Sequence, residues 1–167
     1  MNHYDYFMSE ALVLAQRAFT VGEFPVGCVV VYNNKIVAEG SRSGTTEKFP
    51  NEIDHAEMTA LRRLSMRQIE GDPGKMALFC TLEPCLMCFG AILLSGIGTL
   101  VYAYEDVMGG GTRCDLKALS PLYRERTITI VPNILRKKSL SLLKAFFSNS
   151  QNTYWRESLL ARYTLAQ

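Results

Sequence analysis

Two short stretches do most to limit what this chain can fold into. Asp54-His55-Ala56-Glu57 and Pro84-Cys85-Leu86-Met87-Cys88 each stand at the head of a segment with helical hydrophobic spacing. Each follows a strand or strand-like segment. Two adjacent helices in one layer over a common sheet can aim their N-termini at a single point. That point would receive one imidazole and two sulfurs. A helix N-terminus is electropositive because its first amides are unpaired. Cysteines placed there ionise readily, and thiolate is the form that binds metal.

The rest of the chain supports this layout. Residues 4–21 carry Tyr4, Phe7, Met8, Ala11, Leu12, Ala15, Ala18 and Phe19 at helical spacing, with Gly22 placed to stop the helix. Residues 25–40 read as a hairpin, PVGCVVV returning through Asn33-Asn34 into KIVAEG. Residues 41–53 are a polar loop, and Asp54 is placed to cap a helix beginning at His55. MALFCT (76–81), 99–104 and 127–131 read as strands, and the helix begun at Pro84 and Cys85 ends near Leu94. Gly109-Gly110-Gly111 reads as a flexible loop. Helices are expected over 137–147 and 152–165, the latter through Trp155, Leu159 and Tyr163. Strands alternating with helices give an α/β fold with helices on both faces of one sheet. A single domain over residues 1–167 is expected, with a helical extension at about 150–167.

His55, Cys85 and Cys88 supply three metal ligands. A structural zinc takes four protein ligands, whereas a catalytic zinc keeps one position for water. The other histidine, His3, has no paired ligand beside it. Cys80 is close enough in sequence to be a fourth ligand, but it ends an apolar run and reads, like Cys28, as core. Glu57 alone would be an ordinary first-turn glutamate favoured by the helix dipole. With P-C-x-x-C downstream it gains a task, taking a proton from activated water and passing it to a leaving group.

Five cysteines, an odd number, argue against a disulfide scaffold. No apolar run approaches the roughly 20 residues that span a bilayer, and the start, MNHYDYFMSE, lacks the pattern of a signal peptide. A cytoplasmic protein without membrane contact is expected. The net charge of +2 is far below that of a strongly basic nucleic-acid binder, although a local patch can still hold a folded RNA. Arg136-Lys137-Lys138, with Arg124 and Arg126 ahead of it, reads as a solvated helix start.

The order H-x-E…P-C-x-x-C is the signature of zinc nucleobase deaminases, and here the chain resembles the cytidine deaminase superfamily. PVGCVVV, NNKIVAEG, DHAEMTALR, TLEPCLMCFGAI, SGIGTLVYAYED and LLKAFF, in this order, are most similar to its bacterial tRNA adenosine deaminase branch. The resemblance covers residues 8 to about 147. It implies a three-layer α/β/α sandwich with a five-stranded mixed sheet, one Zn2+ per chain and a homodimer. It also implies hydrolytic conversion of adenosine to inosine in the tRNA anticodon loop. By this resemblance His55, Cys85 and Cys88 are the zinc ligands and Glu57 the catalytic proton shuttle. Val26, Arg42, Pro84 and Asp106 fall at substrate-binding positions.

The departures gather around substrate, not metal. The family has an asparagine in a G-x-N pattern where this chain reads Gly40-Ser41-Arg42, and arginine cannot accept a hydrogen bond. Glu52 and Asp54 bring carboxylates near the metal, VMGGGTRCD follows Asp106, and a helical segment replaces a basic tail. A second reading therefore stands beside the first, deamination of a free base, nucleoside or nucleotide of guanine, cytosine or adenine type. A zinc-stabilised binding module and a thiol oxidoreductase are the non-deaminase readings. Glu57 speaks against the module, and neither His55 nor Glu57 has a use in redox exchange.

Overall fold

Asn33 and Asn34 both adopt the left-handed backbone conformation, with φ of 49° and 60°. Asparagine tolerates that region, and a two-residue type I′ turn requires it twice. The turn joins β1 (Gly27–Tyr32) to β2 (Lys35–Ser41) as the antiparallel hairpin expected from the sequence. The computed structural model describes residues 3–67 and 69–167. In it β1 also pairs antiparallel with β3 (Ala77–Leu82), which then runs parallel to β4 (Thr99–Tyr104) and, through it, to β5 (Thr129–Val131). The sheet order is β2-β1-β3-β4-β5, a five-stranded mixed sheet. Periodicity alone could not supply that order, because β1 and β3 are both apolar on both faces.

Strand alternation divides the core. Val29, Val31, Phe79, Val101 and Ala103 meet Phe7, Met8 and Ala11 of α1 (His3–Thr20) on one face. On the other, Cys28, Val30, Leu78, Cys80 and Leu100 are covered by Ala56 and Ala60 of α2 (Ala56–Met66) and by Phe89, Ile92 and Leu93 of α3 (Leu86–Ser95). Helix α5 (Arg136–Ser148) lies beside α1 and against β4. The result is the three-layer arrangement. Parallel strands need a crossover, and α3 supplies it between β3 and β4, ending at Gly96 in the left-handed cap conformation (φ 78°). Gly40 lets α2 come close, since a Cβ there would run into the backbone of Ala56 and Ala60. No helix among the described residues is long and apolar enough to cross a membrane.

Three expectations are corrected. Asp54 does not cap α2. His55 itself occupies the N-cap position without a side-chain bond, and the Asp54 carboxylate is held by Asn51 and by Arg62. The C-terminal helix, α6, spans only Leu159–Ala166. Ahead of it the Asn152 side-chain oxygen accepts from the Tyr154 amide at 2.9 Å, and Ser158 caps the Ala161 amide at 3.0 Å. Such local bonds compete with helix, and Trp155 takes a left-handed φ of 51° instead. A short helix, α4 (Pro121–Arg124), was not anticipated.

The third correction concerns the glycine loop, which packs tightly. The Gly110 amide donates to Asp106 O at 3.0 Å, the Gly111 amide to Pro84 O at 2.8 Å, and Gly110 forms a bridge with Cys85. A Cβ on Gly110 would lie 2.5 Å from the Glu83 carboxyl carbon and 2.6 Å from Asp106 O. The glycines therefore serve close approach to the head of α3. Overpacking of this kind costs about 1–3 kcal/mol, so Gly110→Ala is expected to lower the thermal midpoint by several degrees in a melting experiment. An unchanged midpoint would show that the loop gives way freely.

Candidate active site

The heads of α2 and α3 deliver the predicted metal ligands to one place. His55 and Cys85 are the N-cap residues of α2 and α3, both with extended backbone, and Cys88 lies within the first turn of α3. His55 Nδ1 is 3.6 Å from Cys85 Sγ and 3.5 Å from Cys88 Sγ, and the three donor atoms lie within 4.8 Å of one another. A tetrahedral zinc with Zn–S near 2.3 Å and Zn–N near 2.0–2.1 Å separates sulfur from nitrogen by about 3.6 Å. The donor set therefore fits zinc in spacing as well as in chemistry. Among the described residues no other His, Cys, Asp or Glu joins this group. Cys80 stays in the core, paired across strands with Cys28. Three protein donors leave the fourth position for water or substrate.

The electrostatics suit a metal as well. The Cys85 thiol falls to about 4, chiefly because the Cys88 thiol donates to it, against the cost of burial and with help from His55. Cys88 is pushed up for the complementary reason, its proton being held between the sulfurs, and burial adds to this. The pair carries one negative charge readily and resists the second without a cation. Burial pulls His55 down, but its bond to Cys85 and the Glu57 charge more than offset this and raise it.

Glu57 is 4% exposed, one residue inside α2. Burial raises its carboxyl above the ordinary value, against partial compensation from its own backbone amide and from His55. It shares a small cavity, about 60 Å³, with His55, Ala56, Cys85, Phe24, Val26, Arg42, Leu82, Glu83, Asp106, Gly109, Tyr154 and Trp155. Val26 is buried in its wall. Asp106 is also in the wall, and one of its carboxylate oxygens accepts from the amides of Met108 and Gly109, both at 2.9 Å. Pro84 is buried just behind the wall, where its carbonyl takes the Gly111 amide. Arg42 reaches the cavity but is 3% exposed, and oxygens already surround its guanidinium. It donates to Ser43 O at 2.7 Å, Asp54 O at 3.1 Å, Glu52 Oε2 at 3.2 Å and the Tyr154 hydroxyl at 3.3 Å.

Sequence reasoning missed Glu83, Phe24, Tyr154 and Trp155. Glu83 was legible as the acid next to Pro84. It is 3% exposed and accepts from the Asp106 amide at 3.1 Å and from the Thr112 hydroxyl, tying the glycine loop to the head of α3. For the aromatic pair the available signal was Ser158 before Leu159, a helix start that leaves 152–157 outside the helix.

Known proteins agree with this geometry. Residues 1–104 match the family described as the cytidine and deoxycytidylate deaminase zinc-binding region. The tRNA-specific adenosine deaminase of Bacillus subtilis is 34% identical over 154 residues, covering 88% of this chain and 90% of that protein. A solved structure from work on A-to-I editing by tRNA:A34 deaminases superposes with a TM-score of 0.67 at 26% identity, covering 82% of this chain and 98% of the other. The guanine deaminase of Nitrosomonas europaea shares the fold, with a TM-score of 0.66 at 22% identity, covering 83% and 81%. The match spans both ligand-bearing helix starts, and the zinc that their donors fit is the family's own cofactor. This chain belongs to the cytidine and deoxycytidylate deaminase zinc-binding family.

Proposed function

We propose that the chain is a tRNA adenosine deaminase, hydrolysing the exocyclic amine of adenosine at the anticodon wobble position to give inosine and ammonia. The observation that carries this reading is the His55–Cys85–Cys88 donor cluster at a cavity that His55 and Cys85 line together with a buried Glu57. It occurs in a chain whose 34%-identical relative is a tRNA-specific adenosine deaminase over nearly its whole length. His55, Cys85 and Cys88 would hold the zinc. Zinc supplies a Lewis acid that makes a hydroxide-strength nucleophile available from water at neutral pH. Glu57 receives the proton of that water and delivers it to ring nitrogen N1, so that C6 accepts the oxygen. It then takes the remaining proton from the oxygen now on C6 and passes it to the amine, which leaves as ammonia as the C6 carbonyl forms. A carboxyl held above its ordinary pKa by burial is suited to this, because it must be base and acid in turn. Val26 and Leu82 form apolar wall for the base, which reaches the cavity unstacked from the anticodon loop.

The same reading carries a homodimer. Helix α3 exposes Leu86 and Leu94, at 63% and 48%, and α4, which packs against α3, exposes Leu122 at 54%, apolar side chains that a second copy would cover. Sedimentation at micromolar concentration should then give twice the chain mass.

The test is a substrate panel with zinc-containing protein. It would receive tRNA carrying adenosine at the wobble position and, separately, adenine, guanine, cytosine and their nucleosides. Ammonia release from the tRNA is the expected result, with apparent affinity falling as salt rises, since phosphate contacts release counterions. Release from small molecules alone would replace the tRNA reading with the free-base one.

A further inference from the structure

The cavity beside Glu57 holds about 60 Å³, whereas pockets that enclose small ligands run to roughly 300 Å³ or more. A base that enters is therefore in close contact with the lining. Much of the lining is held by regular elements: Val26 and Leu82 sit at the ends of the inner strands β1 and β3, and His55, Glu57 and Cys85 are at helix heads. Another part of the lining is the irregular turn that ends at Ser158. Its Tyr154 and Trp155 line the cavity with rings stacked at 4.9 Å between centroids and 13° between planes. Phe24 packs against both, at 5.5 and 5.8 Å. Trp155 is kept in a left-handed conformation, φ 51°, which is costly for a bulky residue and persists only where its surroundings impose it.

Those surroundings are unusual for a packing contact. The Tyr154 hydroxyl donates to Glu52 Oε2 at 2.9 Å and accepts from the buried Arg42, whose guanidinium also lies 5.9 Å from the Tyr154 ring centroid. Arg42 and Glu52 form an ion pair whose arginine side chain is 2% exposed and whose glutamate is 47% exposed. Burying an arginine is costly unless it is well bonded, and apolar contact alone would seat Tyr154 without it. The bonds fix where the stacked pair stands relative to the metal ligands.

We infer that Trp155 is the face on which the substrate base stacks, and that Arg42, Glu52 and Tyr154 are positioning residues that hold Trp155 there. This rests on the deaminase reading but not on which molecule carries the base. Arg42 then selects substrate indirectly: both of its terminal nitrogens are bonded to the chain, and it sets the width of the slot.

Trp155 is the only tryptophan, so its fluorescence reports on this site directly. The full-length, zinc-containing Glu57→Gln protein would be titrated with an anticodon stem-loop RNA bearing adenosine at the wobble position, with the same RNA abasic there, and with free adenine, guanine and cytosine. Binding of labelled RNA would be followed independently by anisotropy. The expected result is quenching by the adenosine RNA and none when the abasic RNA binds. Equal emission with both bound RNAs overturns the inference. If RNA neither binds nor reacts and a free base is turned over by the wild type, the tRNA reading fails. Quenching by that base then keeps the inference, and unchanged emission removes it too.

Kinetics give a second readout. Base–aromatic stacking contributes enough that Trp155→Ala should raise KM about tenfold. The change should leave kcat within about twofold, the pattern of lost uniform binding. Trp155→Phe should recover most of the loss, and Tyr154→Phe, which keeps the ring and drops the bonds to Arg42 and Glu52, should raise KM about threefold. A Trp155→Ala effect confined to kcat, or no recovery by phenylalanine, overturns the assignment. If the alanine variant does not fold, the phenylalanine variant and the fluorescence titration still decide it.

Discussion

Glu57→Gln is expected to reduce deamination by about 10²–10⁴-fold while the purified protein keeps one zinc per chain. The side chain is nearly isosteric, is not among the three clustered donors and is buried beside them, so metal binding should survive its loss of charge. What disappears is the group that can both take and give a proton. Metal analysis with single-turnover assays separates these outcomes; retained activity would mean that the proton travels by another path. The variant has a second expected property. Burial raises the Glu57 pKa, so between its unfolded and folded values the folded chain binds more protons than the unfolded one, and stability falls as pH rises through that range. Glutamine does not titrate. In metal-free protein the variant should therefore gain stability relative to wild type as pH is raised from about 4 towards neutrality, seen as diverging melting midpoints.

The residues that were legible in the sequence are those whose role depends on local order. His55, Glu57, Cys85 and Cys88 sit at helix starts, and helix starts are marked by a change from strand alternation to a 3.6-residue period. The Asn33-Asn34 turn and the Gly96 cap were readable because left-handed backbone restricts residue choice. What could not be read depends on long-range pairing. Arg42 meets Tyr154 across a sequence separation of 112 residues, and no periodicity announces such a contact. The glycine run at 109–111 was misread because the same lack of a side chain serves flexibility and close approach alike. Only the neighbouring Glu83 and Leu86 distinguish them. The helical period of 152–165 was overridden ahead of Leu159 by the Asn152 and Ser158 side-chain bonds, which moved Trp155 from a helix face to the cavity wall.

The second large effect concerns the metal. Cys88→Ser should weaken zinc binding by more than the roughly 10–100-fold that follows loss of a residue behind the ligands, and activity should vanish with it. The proton inventory sharpens this into a pH prediction. Without metal, Cys85 is already thiolate at neutral pH, its pKa about 4, whereas Cys88 keeps its proton because the Cys85 sulfur accepts it. Zinc must displace that proton, and also any proton on His55, whose pKa is raised despite burial by its bond to Cys85. Binding that releases one to two protons weakens about ten- to a hundredfold for each pH unit lost. Chelator competition at several pH values measures that slope, and a zinc affinity independent of pH would show that the site is already ionised. The same asymmetry predicts alkylation order. In metal-stripped protein near pH 6, where an ordinary cysteine is well under about 1% thiolate, limiting iodoacetamide should modify Cys85 first, and zinc should protect it. Labelling of the half-buried Cys114 ahead of Cys85 would mean that the Cys85–Cys88 hydrogen bond does not hold in solution.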